Sequence, residues 1–401
     1  FGTIYGVTTN ILNTVTNIVC GDAYLIDGQS NAVADNYLND TSSYTNILNY
    51  SSPWIRSYGS SEGSPAGGWG NAVAYNPTTY EAPYPYRIGI WGFGLASNLV
   101  ATYQIPVCVI NEARGATRIA QHQANPANHY DAGNGYSIYA GMLNIVAAAR
   151  LTHGIRGVLW HQGESDGSGF NEATGNPYWV TYQQMFVDMA AAWKQDYPNL
   201  RYYYIYQIWP GLSPLLEVQR NLPRLYSHMS IMSTVGVVPS PVIHYPIAGY
   251  LRMAQLMSPL VAQDSYGYVP TTPITAPDLK RAYFTTTNRT EIALEFGQDM
   301  VWNAASAGLF YLDGLAGKVT SGSASGNVVK LQVTGASTSQ TINYLVGGLW
   351  DGNQANILYG ANGIAALTFY AVPIAASGTA GSLINSSATG VSTNAAVLNG
   401  T

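Results

Sequence analysis

Ala23-Tyr24-Leu25-Ile26-Asp27-Gly28-Gln29-Ser30-Asn31 is the stretch from which the fold unrolls. Its apolar run is too short for a helix and stops at Gly28, which predicts a buried strand ending in a tight turn. The same pattern returns at Pro106-Val107-Cys108-Val109-Ile110, at Gly157-Val158-Leu159-Trp160, at Tyr202 to Ile208 and, more weakly, at Ser230 to Val235. Helical spacing fills the gaps. Residues 88–103 repeat Ile88, Trp91, Leu95 and Leu99; residues 136–150 repeat Tyr139, Leu143, Val146 and Ala149; residues 178–194 repeat Trp179, Tyr182, Phe186, Met189 and Trp193. A last helix is predicted to start at Pro246, since proline suits a first helical position, and to run through Ile247, Tyr250, Leu251 and Ala254. Strands alternating with helices of this length make βαβ units and a parallel sheet covered on both faces, here over residues 18–268.

The pattern changes near residue 270. Thr271-Thr272-Pro273-Ile274-Thr275-Ala276-Pro277 reads as a linker, and beyond it the apolar period falls to two. Ile292/Leu294/Phe296, Val329/Leu331/Val333, Ile342/Tyr344/Val346 and Leu367/Phe369/Ala371 alternate, separated by Gly, Ser and Asn turns. A small all-β sandwich over residues 275–375 is the expectation. Residues 1–17 read as a leftover strand or linker, and residues 376–401 as a linker or the start of a further module. The chain begins at Phe1 rather than Met, so it reads as a processed or excised piece that lacks its address label.

Charge is scarce. Only 16 Lys and Arg and 21 Asp and Glu occur in 401 residues, or 9%, against about 25% in ordinary soluble domains. The net charge is −5 and no basic run exists, which excludes the electrostatic footprint of a nucleic-acid binder. No apolar stretch is long enough for a membrane-spanning helix. Two cysteines, Cys20 and Cys108, cannot build a disulfide framework or a four-thiolate metal site; they read either as one disulfide or as two buried thiols. The surface left over is neutral, hydrogen-bonding and aromatic, with 31 Tyr and 9 Trp, which suits a glycan partner outside the cell.

In doubly wound sheets ligands bind beyond the carboxyl ends of the strands. Those ends carry Gly28-Gln29-Ser30-Asn31, Asn111-Glu112-Ala113-Arg114-Gly115-Ala116-Thr117, His161-Gln162-Gly163-Glu164-Ser165-Asp166 and Ile243-His244-Tyr245-Pro246. A serine, a glycine turn, an acid-rich turn and a histidine therefore share one rim. Acyl transfer needs these types: a base to activate a hydroxyl, donors for the oxyanion and a third group to set the base's tautomer.

These phrases resemble the SGNH hydrolase superfamily, and within it the carbohydrate acetylesterases that include sialate O-acetylesterases and acetyl xylan esterases. The resemblance covers about residues 18–265, and Asn356-Ile357-Leu358-Tyr359 to Gly363-Ile364-Ala365-Ala366-Leu367-Thr368-Phe369 resembles the β-module that ends sialate O-acetylesterase-like chains. It implies a flavodoxin-like three-layer parallel sheet, no cofactor, and an acetylated carbohydrate as substrate. It implies Ser30 as nucleophile, His244 as general base, and an oxyanion hole made by Ser30, Gly115 and the side chain of Gln162, which takes the place of an asparagine. The superfamily usually carries an aspartate two or three residues before the histidine, but Val242 and Pro241 stand there. Glu164, Asp166, or a backbone carbonyl in a Ser–His dyad are the three replacements.

Each residue also has a plainer reading. Ser30 fits mere turn chemistry, His244 helix entry, Glu164 a cap on its own turn, and Gly115 a positive φ, with Gly67, Gly68 or Gly70 as the donor instead. Arg114 and Arg118 suit substrate hydroxyls or local carbonyls. His122 and His129 suit substrate contact better than a metal, for which no third ligand is spaced; His153, His161 and His228 read as structural. The segment from Tyr75 to Tyr86 suits a stacking wall for sugar rings. The leading expectation is a secreted carbohydrate O-acetylesterase without a metal. Its rivals are a glycan-binding module on a degenerate scaffold and a glycoside hydrolase built on Glu164 and a second carboxylate. The low charge favours an acetylated polysaccharide over an acidic sugar.

Overall fold

The structure, a computed structural model, describes residues 2–5, 8–11, 16, 18–41, 52–59, 67–75, 85–237, 243–346, 352–377, 385–392 and 395–400. Val242, Pro241 and most of the segment between Tyr75 and Tyr86 lie outside the described residues. Two antiparallel strand pairs flank the body, Gly2–Tyr5 with Thr8–Ile11 and Asn385–Ser392 with Ala395–Gly400.

The first domain is built on β1 (Asp22–Gly28), β2 (Ile55–Tyr58), β3 (Trp69–Asn71), β4 (Val107–Asn111), β5 (Ile155–His161), β6 (Tyr202–Gln207) and β7 (Met229–Ser233). Their order in the sheet is β3-β2-β4-β1-β5-β6-β7, parallel except for β3. Without the β2–β3 edge hairpin, the five long strands run in the flavodoxin-like order that the resemblance implied. The hairpin escapes sequence reading because its strands are only 4 and 3 residues long.

β1 explains why two layers of helix are needed. Tyr24 and Ile26 enter one core, with α1 (Ile90–Tyr103) and α5 (Ile247–Tyr266). Ala23 and Leu25 enter the other, with α2 (Ser137–Ala148), α3 (Tyr182–Asp196) and α4 (Ser213–Asn221). The period of two on a strand buried on both faces thus divides its side chains between two helical layers. Gly94 lets α1 and α5 approach closely, since a Cβ there would lie 2.9 Å from that of Ala254. Pro246 is the cap residue of α5, so the helix starts at Ile247, one residue later than predicted.

The second domain comprises β8 (Leu279–Phe284), β9 (Glu291–Phe296), β10 (Phe310–Leu312), β11 (Val319–Ser325), β12 (Val328–Val333), β13 (Thr341–Tyr344) and β14 (Phe369–Ala375). Its strands form one continuous sheet, ordered β10-β13-β14-β8-β9-β12-β11. β14 joins the halves: it pairs with β13 through Phe369, Val372 and Pro373, and with β8 through Ile374 and Ala375. The sheet curls round Phe284, Leu294, Phe310, Leu331, Tyr344 and Phe369, all buried.

The core of this domain is continuous with the α2/α3/α4 side of the first. Gln207, at the end of β6 and fully buried, makes the joint. Its Nε2 donates to the carbonyls of Leu216 (3.0 Å) and Thr368 (2.9 Å), and its Oε1 accepts from the Thr368 N–H (2.8 Å). Arg220 of α4 adds hydrogen bonds to Asp278 (2.6 Å) and to the Leu279 carbonyl (3.0 Å). Replacing Gln207 by Leu fills the space but orphans buried backbone groups, so it should cost about 2–4 kcal/mol. Guanidinium unfolding should show one transition shifted as a whole; a shift worth under about 1 kcal/mol would mean the joint contributes little.

Candidate active site

Ser30 opens a single helical turn, Ser30–Val33, that follows β1 directly. Gly28 makes the turn with φ 137°, and a Cβ on it would strike the His161 carbonyl oxygen at 2.1 Å. Gln29 then locks this turn to the one after β5. Its N–H donates to the His161 carbonyl (3.0 Å), while its Oε1 accepts from the N–H groups of Ser165 (3.1 Å) and Gly163 (3.3 Å) and from Gln162 Nε2 (3.2 Å). On the other side the Arg114 N–H donates to the Gly28 carbonyl (2.9 Å). Ser30 therefore lies between the turns that follow β4 and β5.

His244 arrives from the segment before α5. Its Nε2 lies 2.9 Å from Ser30 Oγ. The Tyr37 ring stacks on the imidazole at 3.9 Å, tilted by 18°, and the Tyr37 hydroxyl donates to the Ser30 carbonyl (3.2 Å). One aromatic side chain so touches both members of the pair.

Glu164 was expected to orient His244 directly, and the structure gives it a different contact. Its Oε1 accepts from Asn31 Nδ2 (2.8 Å) and lies 3.6 Å from His161 Nδ1. The same Asn31 nitrogen donates to the carbonyl of Ile243 (3.2 Å), the residue before His244. The Asn31 Oδ1 accepts from the Tyr250 hydroxyl of α5 (2.8 Å). The acid thus reaches the histidine loop through the carboxamide next to Ser30. Burial pushes the Glu164 carboxyl up to about 7, against the Asn31 hydrogen bond, which favours the charged form. Burial drives His161 down to about 3, so this imidazole is neutral beside it.

Gln162, expected as an oxyanion donor, is fully buried and its Nε2 is already claimed. It donates to Asp166 Oδ2 (2.5 Å), to the Thr117 carbonyl (3.0 Å) and to Gln29. Asp166 also accepts from the Ile119 N–H (2.9 Å), which makes it a fastener between the turns after β4 and β5, away from His244. His122, read as a substrate contact, is buried instead: Nδ1 lies 2.9 Å from Asp27 Oδ1 and Nε2 lies 2.8 Å from Thr117 Oγ1. His129 is held 2.7 Å from Asp196. These contacts pin the 111–122 turn to β1, and with it Gly115.

Gly115 is half-buried, one residue past the Arg114 N–H that bonds Gly28. The positive φ of this turn falls on Ala116 (58°), so a left-handed backbone does not explain the glycine. Gly68 and Gly70 lie in or beside β3, three strand spacings or about 14 Å from β1 across the sheet. The guanidinium of Arg118 stacks 3.8 Å from the centre of the Tyr178 ring. Both cysteines are free thiols, and among the described residues no group of three or more His, Cys, Asp or Glu could hold a metal ion. Sequence reading had the glutamine and asparagine beside Ser30 in view without giving either a task. Their signal was an uncharged polar pair at a buried strand end. Tyr37 had none, because its register to His244 spans most of the domain.

Residues 21–206 match the family described as carbohydrate esterase, sialic acid-specific acetylesterase. The fold is similar to the crystal structure of a carbohydrate acetylesterase from Xanthomonas citri, with a TM-score of 0.64 and 17% identity over 87% of this chain and 80% of that one. A protein from Arabidopsis thaliana aligns over 60% of this chain and 97% of its own, with a TM-score of 0.45 and 17% identity. No curated protein sequence matches the chain.

The buried carboxyl makes a stability prediction. The folded state holds the Glu164 proton up to about 7, whereas the unfolded chain releases it near the ordinary 4.5. Stability from this group is present below pH 4.5 and lost as pH rises towards 7, by roughly 3 kcal/mol in all. Glu164→Gln carries no proton to lose, so its melting temperature should fall less than that of the parent between pH 5 and pH 8. Parallel melting profiles in calorimetry would contradict the assignment.

Proposed function

We propose that this chain, whose residues 21–206 match the carbohydrate esterase family, removes O-acetyl groups from carbohydrate through Ser30 and His244. The observation that carries the mechanism is the 2.9 Å contact between His244 Nε2 and Ser30 Oγ at the carboxyl edge of a parallel sheet. His244 takes the Ser30 proton while Oγ adds to the acetyl carbonyl carbon. The oxyanion is met by the backbone N–H of Ser30, which as the first helical residue has no partner within its turn, and by that of Gly115. The bond to the sugar oxygen then breaks, and that oxygen leaves with the proton from His244. Water gives a proton to His244, attacks the acetyl-serine and releases acetate, returning Ser30 and His244 to their starting forms.

Glu164 acts in this scheme as a positioning residue. It holds Asn31, and Asn31 holds the Ile243 carbonyl and hence the base. Gln162 and Asp166 set the distance between the two turns that flank the nucleophile. Arg114 and Arg118 line the same rim and are assigned to substrate hydroxyls. The scarcity of charge supports a hydroxyl-rich substrate and an extracytoplasmic site of action; recovery of the activity in the cytosol of the producing cell would refute the location.

Ser30→Ala should lower acetate release from p-nitrophenyl acetate and from acetylated sugars by about 10⁴-fold or more. Unimpaired release would end the assignment. Glu164→Gln keeps an oxygen for Asn31 and should cost only a few-fold in kcat, whereas Asn31→Ala frees the histidine loop and should cost about 10²-fold. A loss near 10⁴-fold in Glu164→Gln would instead place the carboxylate on the imidazole itself.

A further inference from the structure

The opposite edge of the same sheet, where the strands begin, holds a cavity of about 540 Å³. It is of the size that takes a small ligand, and it lies the length of β1 from Ser30, about 20 Å for a seven-residue strand. Pro106, Val107 and Leu151 give it an apolar floor. Three other side chains in the wall carry its chemistry.

Arg56, on β2, is half-buried, and its Nε is buried without a hydrogen-bond partner. In a chain with 16 basic residues, a guanidinium in a cavity wall with no ion pair among the described residues is an unusual use of charge. Trp69, on β3, exposes 48% of its surface and is held edge-on against Tyr58 at 5.5 Å. Asp22 is the carboxylate of the wall, and Arg156 already neutralises it at 2.5 Å. Among the described residues, the wall therefore carries one unbalanced positive charge next to a flat aromatic face.

We propose that this cavity is a second binding site, for a sugar unit that bears a carboxylate. The planar fork of Arg56 would take the carboxylate through paired N–H···O bonds, and the ring would lay its C–H face on the Trp69 indole. The choice of a sugar rests on the carbohydrate esterase reading; the choice of an acid rests on Arg56. The site would tether an acidic stretch of a polymer while an acetylated unit reaches the far rim.

The test is calorimetric titration of the full chain with trigalacturonic acid, with N-acetylneuraminic acid and with neutral xylotriose. At least one acid should bind saturably, and xylotriose should not at the same concentration. The two acids separate a uronic from a sialic source. Arg56→Gln and Trp69→Ala, both at partly exposed positions, should each weaken binding by tenfold or more, with melting temperature and hydrolysis of p-nitrophenyl acetate unchanged. Absence of binding by both acids, equal binding of xylotriose, or undiminished binding in Arg56→Gln would overturn the proposal. Loss of the Ser30 assignment would show in hydrolysis and leave this titration intact, so the two readings fail separately.

Discussion

The carboxamide of Asn31 is the point on which the site depends. Asn31 is fully buried, and it ties its own turn to three stretches remote in sequence, around Trp91, Glu164 and Ile243 to Tyr250. It donates to Glu164 and to Ile243, accepts from Tyr250, and its own backbone carbonyl accepts from Trp91 (2.8 Å). The Ser30 turn, the acid turn, the histidine loop and both helices of one layer are thereby fixed to one neutral residue. Each of these bonds, if left unmade, would strand a buried polar atom at about 1–3 kcal/mol. The alignment of Ser30 with His244 is inherited from this group and not from an ion pair.

That choice is consistent across the domain. Gln29, Asn31, Gln162, Gln207 and Gln219 are all buried, and each bonds to protein groups through its amide, Gln162 through its Nε2 alone. The buried Arg87 and Asp35 meet as a tight pair at 2.6 Å, whereas the buried Asp166 is held by the Gln162 amide and the Ile119 N–H. A neutral amide spans two backbone groups without the desolvation penalty of an ion. It also does not titrate, so the scaffold keeps its shape over the pH range in which Glu164 changes charge.

The parallel sheet was legible, as was the gathering of Ser30, Glu164 and His244 at one rim, because both are local signals. Five apolar runs gave the strands, and the phrases after them gave Ser30, Glu164 and His244. What could not be read was which side chain meets which. Asn31, Glu164 and Ile243 are separated by 133 and 212 residues from one to the others, and their meeting depends on strand order and on the depth at which each turn sits. The expectation that Glu164 touches His244 missed one intervening side chain. The β-domain misleads in a related way. Ala293 is as buried as Ile292 and Leu294, because β9 is central in a curled sheet and covered on both faces, so a period of two describes only half of it. The helix α4 was overlooked because its nine residues offer little more than two turns of pattern.

The joint at Gln207 bears on how the molecule is made. The partner of that side chain is Thr368, the residue before β14, which is also the strand that closes the second domain. During synthesis from the amino end, Ser30 and His244 are made more than a hundred residues before Thr368. Until then Gln207 has no Thr368 and the β-domain's share of the common core is missing. The joint at Gln207 can therefore close only after Thr368 has emerged, and the second domain supplies the later-made share of the core that the two hold in common.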